Sequence, residues 1–275
     1  MLHFFLSISR QLPNFKGKFR LMRFLLQSQL KSVSNIIVHA ANGVLYKIPN
    51  INEIIGFSIY INGYYEKKYT NYFIESIPLN GVFIDVGANI GSICIPLAKA
   101  RPDIAIIAIE ASSKVLEYLR YNVEINQIKN IKIFHKAVSN INDESLLFDS
   151  PTEMFGKGSL NITHSNNTEA VKTITIDEII NQLKLVRVNM IKVDVEGFEK
   201  NVFEGMKNIK KQYEVDKIVF EFSEWSESNS VEAKPGNAQM VLLSYGYRIA
   251  NFDNPPNLIK LNVVLTKGDH MLIAY

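Results

Sequence analysis

The sequence predicts an α/β protein, a parallel sheet covered by helices on both faces. Three observations predict it: apolar runs at Val82 to Val86, Ile104 to Ile109 and Ile131 to His135; helical patterns between them; and a glycine loop after the first run. At 275 residues and 47% hydrophobic, the chain has material for one well-buried core with a modest extension.

The elements read in order as follows. Val44 to Ile61 suits short strands, and Tyr69 to Ser76 suits a helix stopped by Pro78 and Gly81. Val82 to Val86 is the first buried strand, Gly87 to Gly91 a loop and Ser92 to Ala100 a helix. After the Ile104 to Ile109 strand, Ser112 or Ser113 caps a helix whose Val115, Leu116, Leu119 and Val123 form one apolar face.

Beyond Ile131 to His135 the texture changes. Leu146 to Phe148, Ser159 to Thr163 and Val171 to Thr175 read as a small antiparallel insertion around 146–175. The α/β alternation resumes with a helix at Asp177 to Leu183, a strand at Met190 to Val193, a helix from Gly197 or Phe198, and a strand at Lys217 to Phe222. Pro235 opens a last helix, and Tyr247 to Phe252 with His270 to Ala274 supply two closing strands.

The N-terminal part, residues 1–43, reads as a helical extension to a domain of 44–275 whose core is 80–225. From Phe15 to Gln27, Phe15, Phe19, Met22, Leu25 and Leu26 share a helical face opposite Lys16, Arg20 and Arg23, with Lys18 breaking the pattern. Such a helix lies on an anionic membrane, or packs on its own domain or on a second copy in a homodimer; the pattern leaves these open. Leu2 to Ile8 lacks the charged leader and cleavage site of a secretory signal. With 30 basic against 27 acidic residues, the charge gives no argument for nucleic acid. The single Cys94 excludes an internal disulfide, and there is no Cys/His spacing for structural zinc. The reading is cytoplasmic, with the N-terminal helix allowing a peripheral place at the inner face of the membrane.

Phe83-Ile-Asp-Val-Gly-Ala-Asn-Ile-Gly91 places a loop with Gly87, Asn89 and Gly91 at the carboxyl end of the first strand, where open α/β sheets bind ligands. Asp85, two positions before Gly87, repels a pyrophosphate and attracts an ammonium or sulfonium. The glycines also miss the G-x-G-x-x-G spacing, which disfavours NAD and an oxidoreductase. Glu110 ends the second strand, suited to accept both ribose hydroxyls. Ala111 follows it, and Lys136 and Ala137, after the third strand, can flank an adenine or form a solvent-facing turn.

These residues resemble the FkbM-type branch of the class I methyltransferases. The likeness rests on the glycine-loop segment, on Thr173-Ile-Thr-Ile-Asp177 and on Ile191-Lys-Val-Asp-Val-Glu-Gly-Phe-Glu199. It implies a Rossmann-like sheet of seven strands with the last reversed, S-adenosylmethionine as methyl donor, and an oxygen acceptor on a sugar, glycan or secondary metabolite. Asp85, Gly87 and Gly91 would form the methionine-side loop and Glu110 the ribose ligand.

Asp194 is the first candidate for a base that takes the acceptor proton, with Glu196 two residues on. Such a close acidic pair raises one pKa or binds a metal; Glu196 and Glu199 also suit the amino end of the following helix. His164, in the polar insertion beside Asn161 and Asn166, and His135 are alternative bases. Glu221 and Glu224 rank below Asp194. Asp253-Asn-Pro-Pro-Asn257 reads as a proline-rich turn. The alternatives to an enzyme of this kind are a non-catalytic methyltransferase-like scaffold and the NAD oxidoreductase.

Overall fold

The computed structural model describes residues 9–10, 15, 17–30, 33–149, 154–160, 168–230 and 234–275. Helix α1 (Lys18–Leu30) leads into a hairpin of β1 (Ser34–His39) and β2 (Leu45–Asn50), followed by α2 (Ile54–Asn62) and α3 (Lys67–Ser76). The α/β core comprises β3 (Val82–Val86), α4 (Cys94–Ala100), β4 (Ala105–Glu110), α5 (Ser113–Ile125) and β5 (Ile131–His135). Then come β6 (Ala137–Val138), β7 (Ser145–Asp149), β8 (Thr168–Ile174), α6 (Ile176–Leu183), β9 (Arg187–Val193) and α7 (Glu199–Glu204). The chain closes with β10 (Glu214–Ser223), α8 (Glu224–Ser228), α9 (Asn237–Ser244), β11 (Ile249–Asn251), β12 (Ile259–Lys260) and β13 (Asp269–Ala274).

The main sheet runs β12-β11-β13-β10-β9-β3-β4-β5. Its core pairs are parallel, and β13 enters antiparallel between β10 and β11, as the reversed last strand expected. The two-residue β12 adds an eighth strand on the edge. The polar stretch after β5 forms a separate small sheet, in which β7 pairs antiparallel and β6 parallel with β8.

The pleat sorts side chains between two cores. Ile84, Val86, Ile107, Ile109, Ile191 and Val193 pack on one face with α6, α7 and α9. Phe83, Ile106, Ala108, Met190 and Val219 pack on the other, beneath the N-terminal elements and α4. Asp85, Lys192 and Glu221 share the parity of this second set, so it acquires a charged row near the carboxyl ends of β3, β9 and β10.

Two corrections concern the N-terminal half. Ile54 to Asn62 is helical, although its β-branched run reads as strand. Glu53 caps it by accepting from the Ile55 and Gly56 amides, Gly63 ends it in the left-handed region, and burial on most sides removes the amphipathic signal. Helix α1 begins at Lys18, outside which Phe15 lies exposed. Its buried stripe is Met22, Leu26 and Leu30, while Leu25 and Phe24 face outward and the expected pattern-breaker Lys18 is buried. No helix among the described residues is long and apolar enough to cross a membrane.

The β1–β2 hairpin spans the boundary at 43/44 and is fastened to α5 by two asparagines. Asn126 bonds both the N–H and the C=O of Leu45, and Asn122 does the same at Lys47. Asn122 is fully buried and also donates to Ile90 O (3.0 Å), tying the hairpin to the glycine loop. Asn122→Ala strands these groups, and urea titration should register a loss of about 2–3 kcal/mol.

Candidate active site

The strand-to-helix turn after β3 opens a cavity of about 230 Å³ at the carboxyl ends of the strands. Gly87, Asn89, Glu110, Ala111, Ala137, Asp194 and Glu196 all line it. Gly87 sits at φ +75°, and a Cβ there would lie 2.0 Å from the Asp194 carbonyl oxygen. Only a bare backbone lets β3 and β9 turn this closely.

Glu110 is held by the loop it faces. The Asn89 N–H donates to one carboxylate oxygen (2.9 Å) and the Ser112 N–H to the other (2.8 Å). Burial pushes its pKa up to about 7, with the Ser112 and Asn89 amides opposing. The remaining lone pairs suit a ligand with two adjacent hydroxyls. Ala137, Val138, Phe148 and Leu160 supply an apolar wall on the β5 side, suited to a flat ring.

Across the loop lies a carboxylate cluster. Asp194, Glu196 and Glu221 each offer an oxygen within 4.8 Å of the others, a spacing able to hold a divalent cation. Burial, then the neighbouring Asp194 charge, pushes Glu196 up to about 7 and Glu221 up to about 9. A proton taken up within the cluster relieves the repulsion among the three carboxylates. The strand ends at Val193, so the two acids meet through a left-handed Glu196 (φ 51°) rather than through strand alternation.

Asp85, expected to face a ligand cation, has a protein cation beside it instead. Asp85 is 0% exposed and pairs with Lys192, whose Nζ lies 3.5 Å from Asp85 Oδ1, 3.1 Å from Asp194 Oδ2 and 3.3 Å from Gly87 O. Asp85 and Lys192 are register partners on β3 and β9 with the same parity, so both turn into one sheet face; Lys192 reaches the cavity lining, while Asp85 lies enclosed behind it. Burial raises the Asp85 pKa and Lys192 opposes it. For Lys192, burial works to lower the pKa, but Asp194 and Asp85 outweigh it and hold it above its ordinary value.

Gly91 is likewise behind the cavity: a Cβ there would overlap the Ile95 and Leu119 side chains, so it serves packing. Glu199 starts α7 and accepts from the Val195 N–H (3.0 Å). Exposed His135 contacts Ala111 O, and Glu224 accepts from the Gly268 N–H. The Asp253 carboxylate accepts from the Met271 N–H and contacts His270, and Asp253 is not among the residues that line the cavity. His164, Asn161 and Asn166 lie outside the described residues.

The structure adds lining residues that the sequence reading missed. Tyr65, Glu66 and Glu53 reach the cavity from the N-terminal elements, and Lys157 lies 3.9 Å from Glu196. The segment 155–158 roofs the cavity, held by Asn89 Nδ2 donating to Phe155 O (3.1 Å) and Ser159 Oγ donating to Glu196 O (3.1 Å). Only Lys192 carries a signal in sequence: a charge inside the apolar run Met190 to Val193 demands a partner.

Residues 85–249 match the sequence model of the family described as Methyltransferase FkbM domain. The chain belongs to this family. Among relatives of this FkbM-domain chain, hexuronic acid methyltransferase AglP of Haloferax volcanii is 31% identical over 139 residues, 49% of this chain and 54% of that protein. Methyltransferase 1 of Beauveria bassiana is 24% identical over 157 residues, 49% of this chain and 62% of that protein. The chain thus spans less than two thirds of the length of either. Among solved structures, an O-methyltransferase of Thermotoga maritima aligns at TM-score 0.45 and 11% identity, over 90% of this chain and 80% of that one. A precorrin-6y C5,15-methyltransferase of Geobacter metallireducens aligns at TM-score 0.43 and 12% identity, over 77% of this chain and 92% of that one.

Proposed function

We propose that the protein is an S-adenosylmethionine-dependent methyltransferase that acts on a hydroxyl of a sugar, glycan or similar small molecule. The observation that carries this reading is the pairing across the glycine loop: Glu110, oriented by two amides, on one side and Asp194 on the other. The strands bearing them flank β3, two sheet positions apart, so their ends are separated by about 10 Å. That span suits a nucleoside joined to a reactive centre.

The residues fit the donor by chemistry. Glu110 would take the ribose hydroxyls, the Ala137 to Leu160 wall the adenine, and the Gly87 backbone the methionine side. When bound, S-adenosylmethionine supplies a methyl group already activated by its sulfonium. Asp194 lies at the loop and can receive the proton that an attacking hydroxyl releases. Binding an acceptor in line supplies much of the remaining acceleration, because alignment replaces a bimolecular encounter.

The sugar-directed part of the reading is supported by family membership and by the name of the Haloferax volcanii relative. Mass spectrometry of glycans and metabolites with and without the gene should find a species differing by one methyl group. Labelled methyl transfer into cell extract separates an enzyme from a scaffold that binds the donor without turnover.

Glu110 makes donor-site binding pH-dependent. It accepts both hydroxyls only when ionised, and with a pKa of about 7 it is ionised in about a tenth of molecules at pH 6. Calorimetric affinity for S-adenosylhomocysteine should therefore weaken as pH falls from 8 to 6. Glu110→Ala should weaken it at pH 8 by at least about tenfold and flatten the pH dependence, since a charge-assisted bond contributes about 1.5–3 kcal/mol. Undiminished binding by this variant removes the ribose assignment.

A further inference from the structure

Lys192 lies one residue from the end of β9, inside the apolar run Met190 to Val193, 6% exposed at its side chain, and no part of the proposed chemistry requires a cation there. Its ammonium has three oxygens around it: Asp194 Oδ2 (3.1 Å), Gly87 O (3.3 Å) and Asp85 Oδ1 (3.5 Å), the last as an ion pair. Two of these belong to the β3 strand and loop and the third to Asp194, the residue that follows β9. The ammonium therefore joins the two chain segments that part around the Gly87 turn.

The pairing also sets the local charge. Asp85 and Asp194 contribute two formal negative charges and Lys192 one positive, leaving a net single negative charge. Asp85 is fully enclosed, and although Lys192 and Asp194 both line the cavity, the Lys192 side chain is 6% exposed against 28% for Asp194, so the uncancelled charge is presented on the Asp194 side.

We propose that Lys192 is a positioning residue: it cancels Asp85 and aims the Asp194 carboxylate at the point beside Gly87 where a methyl donor presents its positive charge. This rests on the methyl-donor reading above. It assigns Lys192 a role in recognising the donor's charge rather than only in holding the sheet together.

The test compares two ligands of similar shape and different charge. S-adenosylhomocysteine carries a neutral thioether, and sinefungin carries a protonated amine where the donor carries its reactive methyl. Affinities are measured by calorimetry for the wild type, Lys192→Met, Lys192→Arg and the double variant Asp85→Asn/Lys192→Met. The double variant keeps the net single negative charge, carried by Asp194 alone, and removes the buried imbalance that threatens the fold of Lys192→Met.

The wild type should prefer sinefungin. The double variant should lose at least threefold of that preference, with affinity for S-adenosylhomocysteine changed less than twofold, and Lys192→Arg should recover most of it. Full sinefungin preference in the double variant overturns the proposal, because Asp194 then needs no partner to face the ligand. An equal loss for both ligands overturns it as well, reducing Lys192 to a scaffold. A wild type that binds neither ligand defeats the donor reading itself, and so separates the two failures.

Discussion

Gly87→Ala should destabilise the protein by about 3–5 kcal/mol and abolish binding of S-adenosylhomocysteine. The left-handed backbone alone costs about 1–2 kcal/mol for a residue with a side chain. The larger part comes from the overlap: a Cβ at 2.0 Å from the Asp194 carbonyl meets backbone, which has no alternative rotamer. Relief requires β3 and β9 to separate where both shape the cavity. Gly91→Ala provides the control: at φ +87° it shares the left-handed cost, but the atoms nearest its Cβ belong to the Ile95 and Leu119 side chains rather than to backbone. It should lose less stability in urea and retain binding.

Lys192→Met should cost about 3–5 kcal/mol at pH 8, because it leaves Asp85 and Asp194 without the cation between them. Adding Asp85→Asn should recover most of that loss. The deficit should also shrink as pH falls. Burial raises the folded pKa of Asp85 above its unfolded value, so the folded state binds this proton more tightly and gains stability on acidification. Thermal melts at pH 8 and pH 5 read the difference. An Asp85→Asn/Lys192→Met protein no more stable than Lys192→Met would place the loss in packing instead.

The legible parts of the site are those whose signals are local. The glycine turn and Glu110 are separated by one helix and one strand and follow from strand ends, so residue types and spacing suffice to bring them to one cavity. Asp85 shows where this stops. Its charge is evident, but its direction follows from strand parity and its partner is 107 residues away, set by a parallel register that no local pattern encodes. Ile54 to Asn62 fails for a related reason: a helix buried on most sides loses its 3.6-residue rhythm, and only the Glu53 cap and Gly63 mark its ends. Tyr65 and Glu66 were illegible as site residues because the turn that carries them reaches the cavity through packing of α2 and α3 on the sheet.

Glu53, Tyr65 and Glu66 line the cavity yet precede residue 85, where the match to the family begins, whereas Gly87 and Glu110 lie within it. Under the proposed function, exchanging the segment up to Ile77 between members of the family should alter acceptor choice while binding of S-adenosylhomocysteine is retained; acceptor profiles of such chimaeras, measured by labelled methyl transfer, check it.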